Sequence, residues 1–187
     1  MPRPRNEDCI NVALDYGTGT TSIMARFHDG RSELVRDPDC NTPTLSATGF
    51  EDGVPKNPLF GIAALNYRGI APNWVVTMNK RALHSHPSIP LLPDRDGKEW
   101  NAQDLSVLYI KHLLDNVAQV TGKKIKTVIY TVPAFWDSKT RELLGNIIKQ
   151  AGYRPLCAIN EPTGAVLEFG MEQNKSGLIV GVSSVAG

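Results

Sequence analysis

A short segment near the amino terminus combines a carboxylate, two glycines and several hydroxyl groups. Residues 15–22 read Asp-Tyr-Gly-Thr-Gly-Thr-Thr-Ser. Glycines let the backbone N–H groups of a turn approach an anion, and threonine hydroxyls add further donors. A carboxylate beside such a turn can hold a hydrated divalent cation that faces phosphates. The segment therefore predicts a phosphate-binding loop, with an ordinary hairpin turn as the alternative. Its candidate binding residues are Asp15, Gly17, Thr18, Gly19 and Thr20, with the Thr21 hydroxyl as a further donor.

This loop differs from two common phosphate-binding motifs. A P-loop requires Gly-Lys-Ser/Thr before a helix, and the dinucleotide-binding fingerprint requires a third glycine at a helix start. Here polar and apolar residues alternate on both sides of the loop, over residues 11–16 and 22–28. The alternation predicts two strands joined by the loop. Asp29-Gly30 is a strong turn signal before a third strand at residues 31–36, so we expect a three-stranded antiparallel meander.

The second half of the sequence alternates between helix and strand patterns. Asn101 and Asp104 predict the start of a helix that runs to about residue 120, and Gly122 predicts its end. Further elements are predicted as a strand at 126–132, a helix from 137 or 138 to about 151, a strand at 155–159, a helix at 162–169 and a strand at 178–182. This order favours parallel strands joined by right-handed crossover helices. The expected fold class is α/β, with the antiparallel meander joined to the parallel strands.

Residues 39–100 have weak periodicity and contain most of the 13 prolines. Only residues 61–67 suggest a helix, whereas Trp74 and Trp100 argue against disorder. We therefore expect a loop-rich subdomain inserted into a regular core. The expected organisation is a tail at 1–10 and one lobe at 11–187, with its core at 11–38 and 101–187 and the insertion at 39–100.

Composition narrows the function classes. The chain has 187 residues, a formal net charge of +1 and 41% hydrophobic residues, which is typical of a globular protein. No excess of basic charge favours nucleic acid, and no apolar run is long enough to span a membrane. The first residues lack the apolar stretch of a signal peptide, and the 3 cysteines favour neither a disulfide framework nor a zinc site. We expect a cytoplasmic protein that binds neither nucleic acid nor membrane.

Four further segments resemble motifs of the seventy-kilodalton heat-shock (DnaK-type) chaperone family of the actin-like ATPase superfamily. Residues 132–141 read Val-Pro-Ala-Phe-Trp-Asp-Ser-Lys-Thr-Arg, similar to the family's Val-Pro-Ala-Tyr-Phe followed by Arg. Residues 159–165 read Ile-Asn-Glu-Pro-Thr-Gly-Ala, close to its Ile-Asn-Glu-Pro-Thr-Ala-Ala. Residues 42–44 resemble its Thr-Pro-Ser, and residues 60–64 its Val-Gly-x-x-Ala. Together with Asp15-x-Gly17-Thr18, these matches follow the family's order along residues 11–178.

The resemblance implies the N-terminal lobe of an actin-like ATPase domain, which has a ribonuclease H-like fold, with ATP or ADP and Mg²⁺ as cofactors. Lys80, in Thr-Met-Asn-Lys-Arg at 77–81, resembles the family's lysine that reaches the terminal phosphate. Glu161 resembles the glutamate that acts near the attacking water and magnesium, so Asp15 and Glu161 are the expected metal residues. The alternatives are a solvated loop lysine for Lys80 and a simple helix-start residue for Glu161.

Pro133 and Arg141 resemble the pair that couples the nucleotide state to the family's substrate domain. The alternatives are a strand terminator and a solvated helix residue. In the family, unfolded polypeptide and co-chaperones bind through a downstream region, so we expect this chain to reach them only through such a region.

One departure from the family bears on activity. Its second phosphate motif, Asp-Leu-Gly-Gly-Gly-Thr, is expected after residue 180, where this sequence reads Gly-Val-Ser-Ser-Val-Ala-Gly. We therefore expect the ATP-binding lobe of a folding chaperone, from a truncated or incomplete chain with impaired ATP hydrolysis. The alternatives are a small-metabolite kinase of the same superfamily and a non-catalytic regulatory module.

Overall fold

A mixed sheet forms the centre of the computed structural model, which describes residues 6–36 and 43–161. Its five main strands lie in the order β11-β10-β1-β2-β3, and the short β4 also pairs with β2. The first elements are β1 Cys9–Tyr16, β2 Thr20–Arg26, β3 Ser32–Val35, β4 Thr44–Leu45, β5 Ala47–Phe50, β6 Pro58–Phe60, α1 Gly61–Arg68, β7 Val75–Thr77 and α2 Asn79–Ser85. The later elements are β8 Pro90–Pro93, β9 Glu99–Asn101, α3 Ala102–Thr121, β10 Lys124–Val132, α4 Ser138–Gln150 and β11 Pro155–Asn160. Short 3₁₀ turns lie at Asn6–Asp8, Glu51–Gly53 and Pro72–Trp74.

The antiparallel meander of the sequence analysis is confirmed. β1 pairs with β2 and β2 pairs with β3, both antiparallel. Gly30 has a φ of 91° in the second turn, which a residue with a side chain rarely adopts. Strand β2 begins two residues earlier than predicted, because Thr20 and Thr21 pair with β4.

The parallel half is confirmed as well. β10 pairs in parallel with β1 on one side and with β11 on the other. Between β10 and β11 the chain passes through α4. The predicted helix at 162–169 and strand at 178–182 lie outside the described residues.

The two long helices begin and end at the residues that the sequence indicated. The Asn101 side chain accepts a hydrogen bond from the Asp104 N–H and caps α3, and Gly122 ends it with a φ of 63°. The Asp137 side chain accepts from the Thr140 N–H and caps α4 in the same way. Such caps satisfy N–H groups that the first turn of a helix leaves without partners.

Buried and exposed side chains alternate along β1, so the two faces of the sheet carry different residues. Ile10, Val12, Leu14 and Tyr16 are buried and pack against apolar residues of α3 and α4 in the main core. Full burial of such a side chain contributes roughly 1.5–3 kcal/mol, so packing on this face stabilises the fold. The intervening residues point the opposite way and are exposed, which places Asp15 on the open face of the sheet.

The segment between β4 and α3 contains more regular structure than predicted. β5, β6 and β7 form a three-stranded sheet against α1, and β8 pairs with β9. The prediction of a loop-rich segment was wrong there, because strands of 3 or 4 residues are too short to show a period. The predicted helix is confirmed as α1.

The structure gives a mixed α/β fold, and the finer actin-like assignment and the domain limits stay predictions. Within the described residues, no helix is long and apolar enough to cross a membrane.

Candidate functional site

The predicted phosphate-binding residues form a tight turn between β1 and β2. We call residues 17–20 the glycine loop. A Cβ placed on Gly17 would lie 2.2 Å from the carbonyl oxygen of Thr20, whereas a Cβ on Gly19 would meet nothing within 4 Å. Of the two glycines, only Gly17 is therefore required by the shape of the loop.

Ser46 holds the glycine loop from one side. Its hydroxyl donates to the carbonyl oxygen of Gly17 at 2.8 Å, and its backbone N–H donates to the carbonyl oxygen of Gly19 at 2.8 Å. Thr21 is 1% exposed, and its hydroxyl lies 3.1 Å from the Ser46 hydroxyl. The expectation that Thr21 donates to a phosphate is therefore wrong, because its side chain faces Ser46. Thr20 is exposed and Thr18 partly exposed.

Asp15 lies on the open face of the sheet beside Thr131 of β10, whose hydroxyl donates to its carboxylate. Both residues line a cavity of about 400 Å³ together with Ser22 and Glu161. Glu161 follows β11 directly, so the carboxyl ends of β1, β10 and β11 place two carboxylates at one cavity. The remaining wall is mainly apolar and includes Met24, Leu34, Ile129 and Ile159.

Lys80 lies in α2, which corrects the description of this residue as a loop lysine. Its side chain is 4% exposed, and its ammonium forms an ion pair with Glu161, whose side chain is 38% exposed. We call these two residues the lysine pair. An ammonium with so little access to water needs a charged partner, and Glu161 supplies it.

Helix α2 is anchored by a buried polar network at its first residue. The Asn79 side chain donates to the carbonyl oxygen of Ala102 at 2.9 Å and to the Ser106 hydroxyl at 2.8 Å. Ser106 also lies 3.1 Å from the Tyr16 hydroxyl. Burial raises the pKa of Tyr16 above its usual value, so this phenol stays protonated. The network fixes the helix that carries Lys80 against both α3 and the end of β1.

Trp136 packs beside the lysine pair. The Lys80 ammonium lies 5.5 Å from the centre of the Trp136 ring, within the range of a cation–π interaction. His84, one turn after Lys80, is parallel to the Trp136 ring with 6.2 Å between ring centres and meets Phe135 edge-on at 5.3 Å. These side chains line a second cavity of about 170 Å³, together with Thr18, Arg81 and Pro133. The glycine loop and the lysine pair therefore share one cavity through Thr18 and Lys80.

Arg141 holds the turn that carries Trp136. Its guanidinium donates to the carbonyl oxygens of Trp136 at 2.8 Å, Ala134 at 3.1 Å and Pro133 at 3.3 Å. The structure thus brings Pro133 and Arg141 into direct contact, and Arg141 is more than a solvated helix residue. Whether the pair couples two domains stays a prediction.

The carboxylates suit a magnesium–phosphate complex better than a bare metal ion. Among residues 6–36 and 43–161, no group of three or more His, Cys, Asp or Glu side chains is arranged to hold a metal. Magnesium commonly takes only one or two protein carboxylates, with waters and phosphate oxygens as its other ligands. Asp15 and Glu161 fit this chemistry, since both face the larger cavity.

Sequence motifs pointed to most of these residues and missed three of them. Ser46 belongs to no motif, and its contact with Gly17 spans 29 positions. Trp136 lies inside the Val-Pro-Ala motif, but nothing in its spacing indicated contact with Lys80. Thr131 follows from β-pairing, because its neighbour Tyr130 pairs with Leu14 next to Asp15.

A family model described as Hsp70 protein matches residues 84–183, which is more than half of the chain. The match includes Pro133, Arg141 and Glu161, whereas Lys80 and the glycine loop precede it. The chain therefore belongs to the Hsp70 protein family.

Three curated relatives are bacterial proteins named chaperone protein DnaK. The one from Mycoplasmopsis synoviae (strain 53) is 27% identical over 166 residues, covering 88% of this chain and 26% of the relative. The Metamycoplasma hominis protein is 26% identical over 165 residues, with 88% and 26% coverage. The Mycoplasmoides gallisepticum protein is 25% identical over 182 residues, with 97% and 30% coverage. The chain thus spans about a quarter to a third of the length of these relatives.

Proposed function

We propose that this chain is the ATP-binding lobe of an Hsp70-type chaperone that assists protein folding. One observation carries the proposal: the glycine loop, Asp15 and the lysine pair surround two adjoining cavities at the ends of β1, β10 and β11. The loop offers N–H and hydroxyl donors, the lysine offers a cation, and the carboxylates suit a hydrated metal. This combination of groups fits the triphosphate of a nucleotide with its Mg²⁺. Family membership supports the same class of ligand.

Each group has a separate role in binding. The glycine loop and the Thr18 and Thr20 hydroxyls would receive phosphate oxygens, while Asp15 and Glu161 would hold Mg²⁺ through its waters. Bound Mg²⁺ would neutralise charge on the phosphate chain. Lys80 would contact the terminal phosphate, where a cation stabilises charge that develops during phosphoryl transfer.

A terminal phosphate would compete with Glu161 for the Lys80 ammonium. Lys80 is nearly fully buried, so its ammonium needs a negative partner whether that partner is Glu161 or a phosphate. A terminal phosphate can replace Glu161 as that partner and leave the Glu161 carboxylate to water and the metal. The ring of Trp136 remains beside Lys80 and is connected to the turn that Arg141 holds. Through this contact, we propose, phosphate binding reaches Pro133 and Arg141.

Calorimetric titration with ATP in the presence of Mg²⁺ tests the proposal. We expect wild-type protein to bind, and Asp15→Asn to bind more weakly in Mg²⁺ while its urea unfolding curve is unchanged. Asp96→Asn is a matched control, because Asp96 is exposed in the turn between β8 and β9. No heat of binding with folded wild type, or equal affinity of wild type and Asp15→Asn, would overturn the proposal. Phosphorylation of sugars or polyols by the chain would instead support the kinase alternative.

A further inference from the structure

Ser46 is a small buried residue that bonds to two carbonyl groups of the glycine loop. It lies between β4 and β5 and is 7% exposed. The contacts at Gly17 and Gly19, both 2.8 Å, use its side chain and its backbone, so they restrain the loop at two points.

A hydroxyl has one proton to donate, and this fixes the direction of the bonds around Ser46. Because the Ser46 proton goes to the Gly17 carbonyl, the 3.1 Å contact with Thr21 must be donated by the Thr21 hydroxyl. The result is a relay from Thr21 through Ser46 to Gly17. Hydrogen bonds in such a chain polarise one another, and this relay is buried at Thr21 and Ser46.

The held carbonyls determine where the next N–H groups point. In a trans peptide, the C=O of one residue and the N–H of the next point in opposite directions. With Gly17 and Gly19 carbonyls turned toward Ser46, the N–H groups of Thr18 and Thr20 point to the other side of the loop. Neighbouring backbone N–H groups that point to the same side form a concave site that binds an anion.

We propose that Ser46 is a positioning residue for phosphate binding: it turns the glycine-loop carbonyls away from the ligand and so presents the Thr18 and Thr20 N–H groups to it. The inference rests on the proposed function and assigns a residue outside every motif that indicated that function. Ser46 itself does not touch the ligand.

The experiment uses the full chain and two readouts. The first is the NMR order parameter of the backbone amides at residues 17–20 without any nucleotide. The second is the calorimetric dissociation constant for Mg-ATP. Variants are Ser46→Ala, Ser46→Thr, which keeps the hydroxyl, and Thr21→Val, which removes only the donor to Ser46. Thr127→Val is the control, because it removes a side-chain hydrogen bond of 2.7 Å to Asn11 at the other end of β1.

We expect Ser46→Ala to lower the loop order parameters from about 0.85 toward 0.6, the values of rigid and flexible backbone. Its dissociation constant should rise about five- to tenfold, the effect of losing one buried hydrogen bond. Ser46→Thr should restore both values, and Thr21→Val should show a smaller change in the same direction. Thr127→Val should change neither.

Two results would overturn the role of Ser46. One is a folded Ser46→Ala protein with unchanged order parameters and unchanged affinity. The other is an equal change in Thr127→Val. If Ser46→Ala does not fold, an unaltered loop in Thr21→Val refutes the relay. If wild type fails to bind Mg-ATP, the proposed function fails, and unchanged order parameters in Ser46→Ala would separately refute the effect of Ser46 on the loop.

Discussion

The glycine loop and the lysine pair meet at the cavity lined by Thr18 and Lys80 but are held by different interactions. Neutral hydrogen bonds from Ser46 fix the loop, and a Cβ at Gly17 would clash with backbone. The lysine pair depends on opposite charges, one nearly fully buried and one partly exposed. Hydrogen bonds and backbone packing thus set the shape of the loop, whereas opposite charges hold the lysine pair together.

Because of this difference, the geometry of the candidate site depends on the glycine loop, whereas its charge depends on the lysine pair. A loop restrained by hydrogen bonds loses less conformational entropy when a ligand binds to it. Under the proposed function, a ligand that binds Lys80 needs a negative group to replace Glu161. Changes in the loop should therefore destabilise the protein through its shape, and changes in the lysine pair through uncompensated charge.

Gly17→Ala should have the largest effect on the free energy of unfolding, because it forces the loop out of its shape. The new Cβ would lie 2.2 Å from the Thr20 carbonyl oxygen, and backbone must move to relieve the contact. Overpacking of this kind costs roughly 2–3 kcal/mol in the free energy of unfolding. Urea denaturation measures it. The control Gly19→Ala, with open space at its Cβ, should stay within about 0.5 kcal/mol of wild type. Equal stability of the two variants would contradict the account of the loop.

Glu161→Gln should have the next largest effect and should cost more than Lys80→Met. The first change leaves a buried ammonium without a carboxylate, whereas the second leaves a carboxylate that water can reach. Breaking a buried pair costs about 3–5 kcal/mol, and partial exposure of Glu161 reduces this to roughly 1–3 kcal/mol. Urea denaturation of both variants gives the order. A larger loss for Lys80→Met would show that Glu161, rather than Lys80, needs its partner.

Trp136→Phe tests whether the aromatic ring belongs with the lysine pair. Phenylalanine is a weaker cation–π partner, so a double-mutant cycle with Lys80→Met should give a coupling of about 0.5 kcal/mol. Trp100→Phe is the control, since Trp100 packs against Phe50 and Lys98. Its cycle with Lys80→Met should be additive. Additivity in both cycles would remove Trp136 from the site.

The smallest expected effect is on stability in acid, and it arises from residues outside both the glycine loop and the lysine pair. Hydrogen bonds from Thr140 lower the pKa of Asp137 below its usual 3.8, and a hydrogen bond from Trp100 does the same for the pKa of Asp94. A lowered folded pKa adds stability that is present above the unfolded value and is lost as pH falls through the folded value. Unfolding free energy should therefore fall below about pH 3.8.

The variant Asp137→Asn, which keeps a helix cap, should show a shallower loss of unfolding free energy between pH 4 and pH 2 than wild type. The control variant Asp96→Asn, changed at an exposed residue, should lose unfolding free energy with falling pH as steeply as wild type does. If Asp137→Asn and wild type lose stability in parallel, the Asp137 carboxylate does not contribute to the acid limb.

The regular elements were predictable because their signals are local. Apolar spacing and the capping residues at 101 and at 137 or 138 predicted α3 and α4, and alternation predicted β1; the structure adds that Asp15 lies on the face opposite the core. Helix α2 has 7 residues and no apolar stripe long enough to show a period, so the sequence indicated no helix around Lys80. Its burial could not be read from neighbouring residues, because the partners of α2 come from α3 and β1.

Motif matches predicted which residues gather at the site but not what holds them. Ser46 reaches Gly17 across 29 positions, and Lys80 reaches Glu161 across 81. Contacts at such separations depend on how the strands and helices pack, which one sequence does not reveal. The Thr21 hydroxyl faces Ser46 rather than a phosphate for the same reason: the two residues become neighbours only because β2 pairs with β4.

The most direct test of the account compares ATP and ADP as ligands of the Lys80→Met variant, both with Mg²⁺. Lys80 is assigned to the terminal phosphate of ATP, which ADP lacks. Calorimetry should therefore show a loss of affinity for ATP of about tenfold or more, the effect of one charged hydrogen bond, and little change for ADP. Equal losses for both nucleotides, or unchanged affinity for ATP in the folded variant, would contradict the assignment of the lysine pair to the phosphate site.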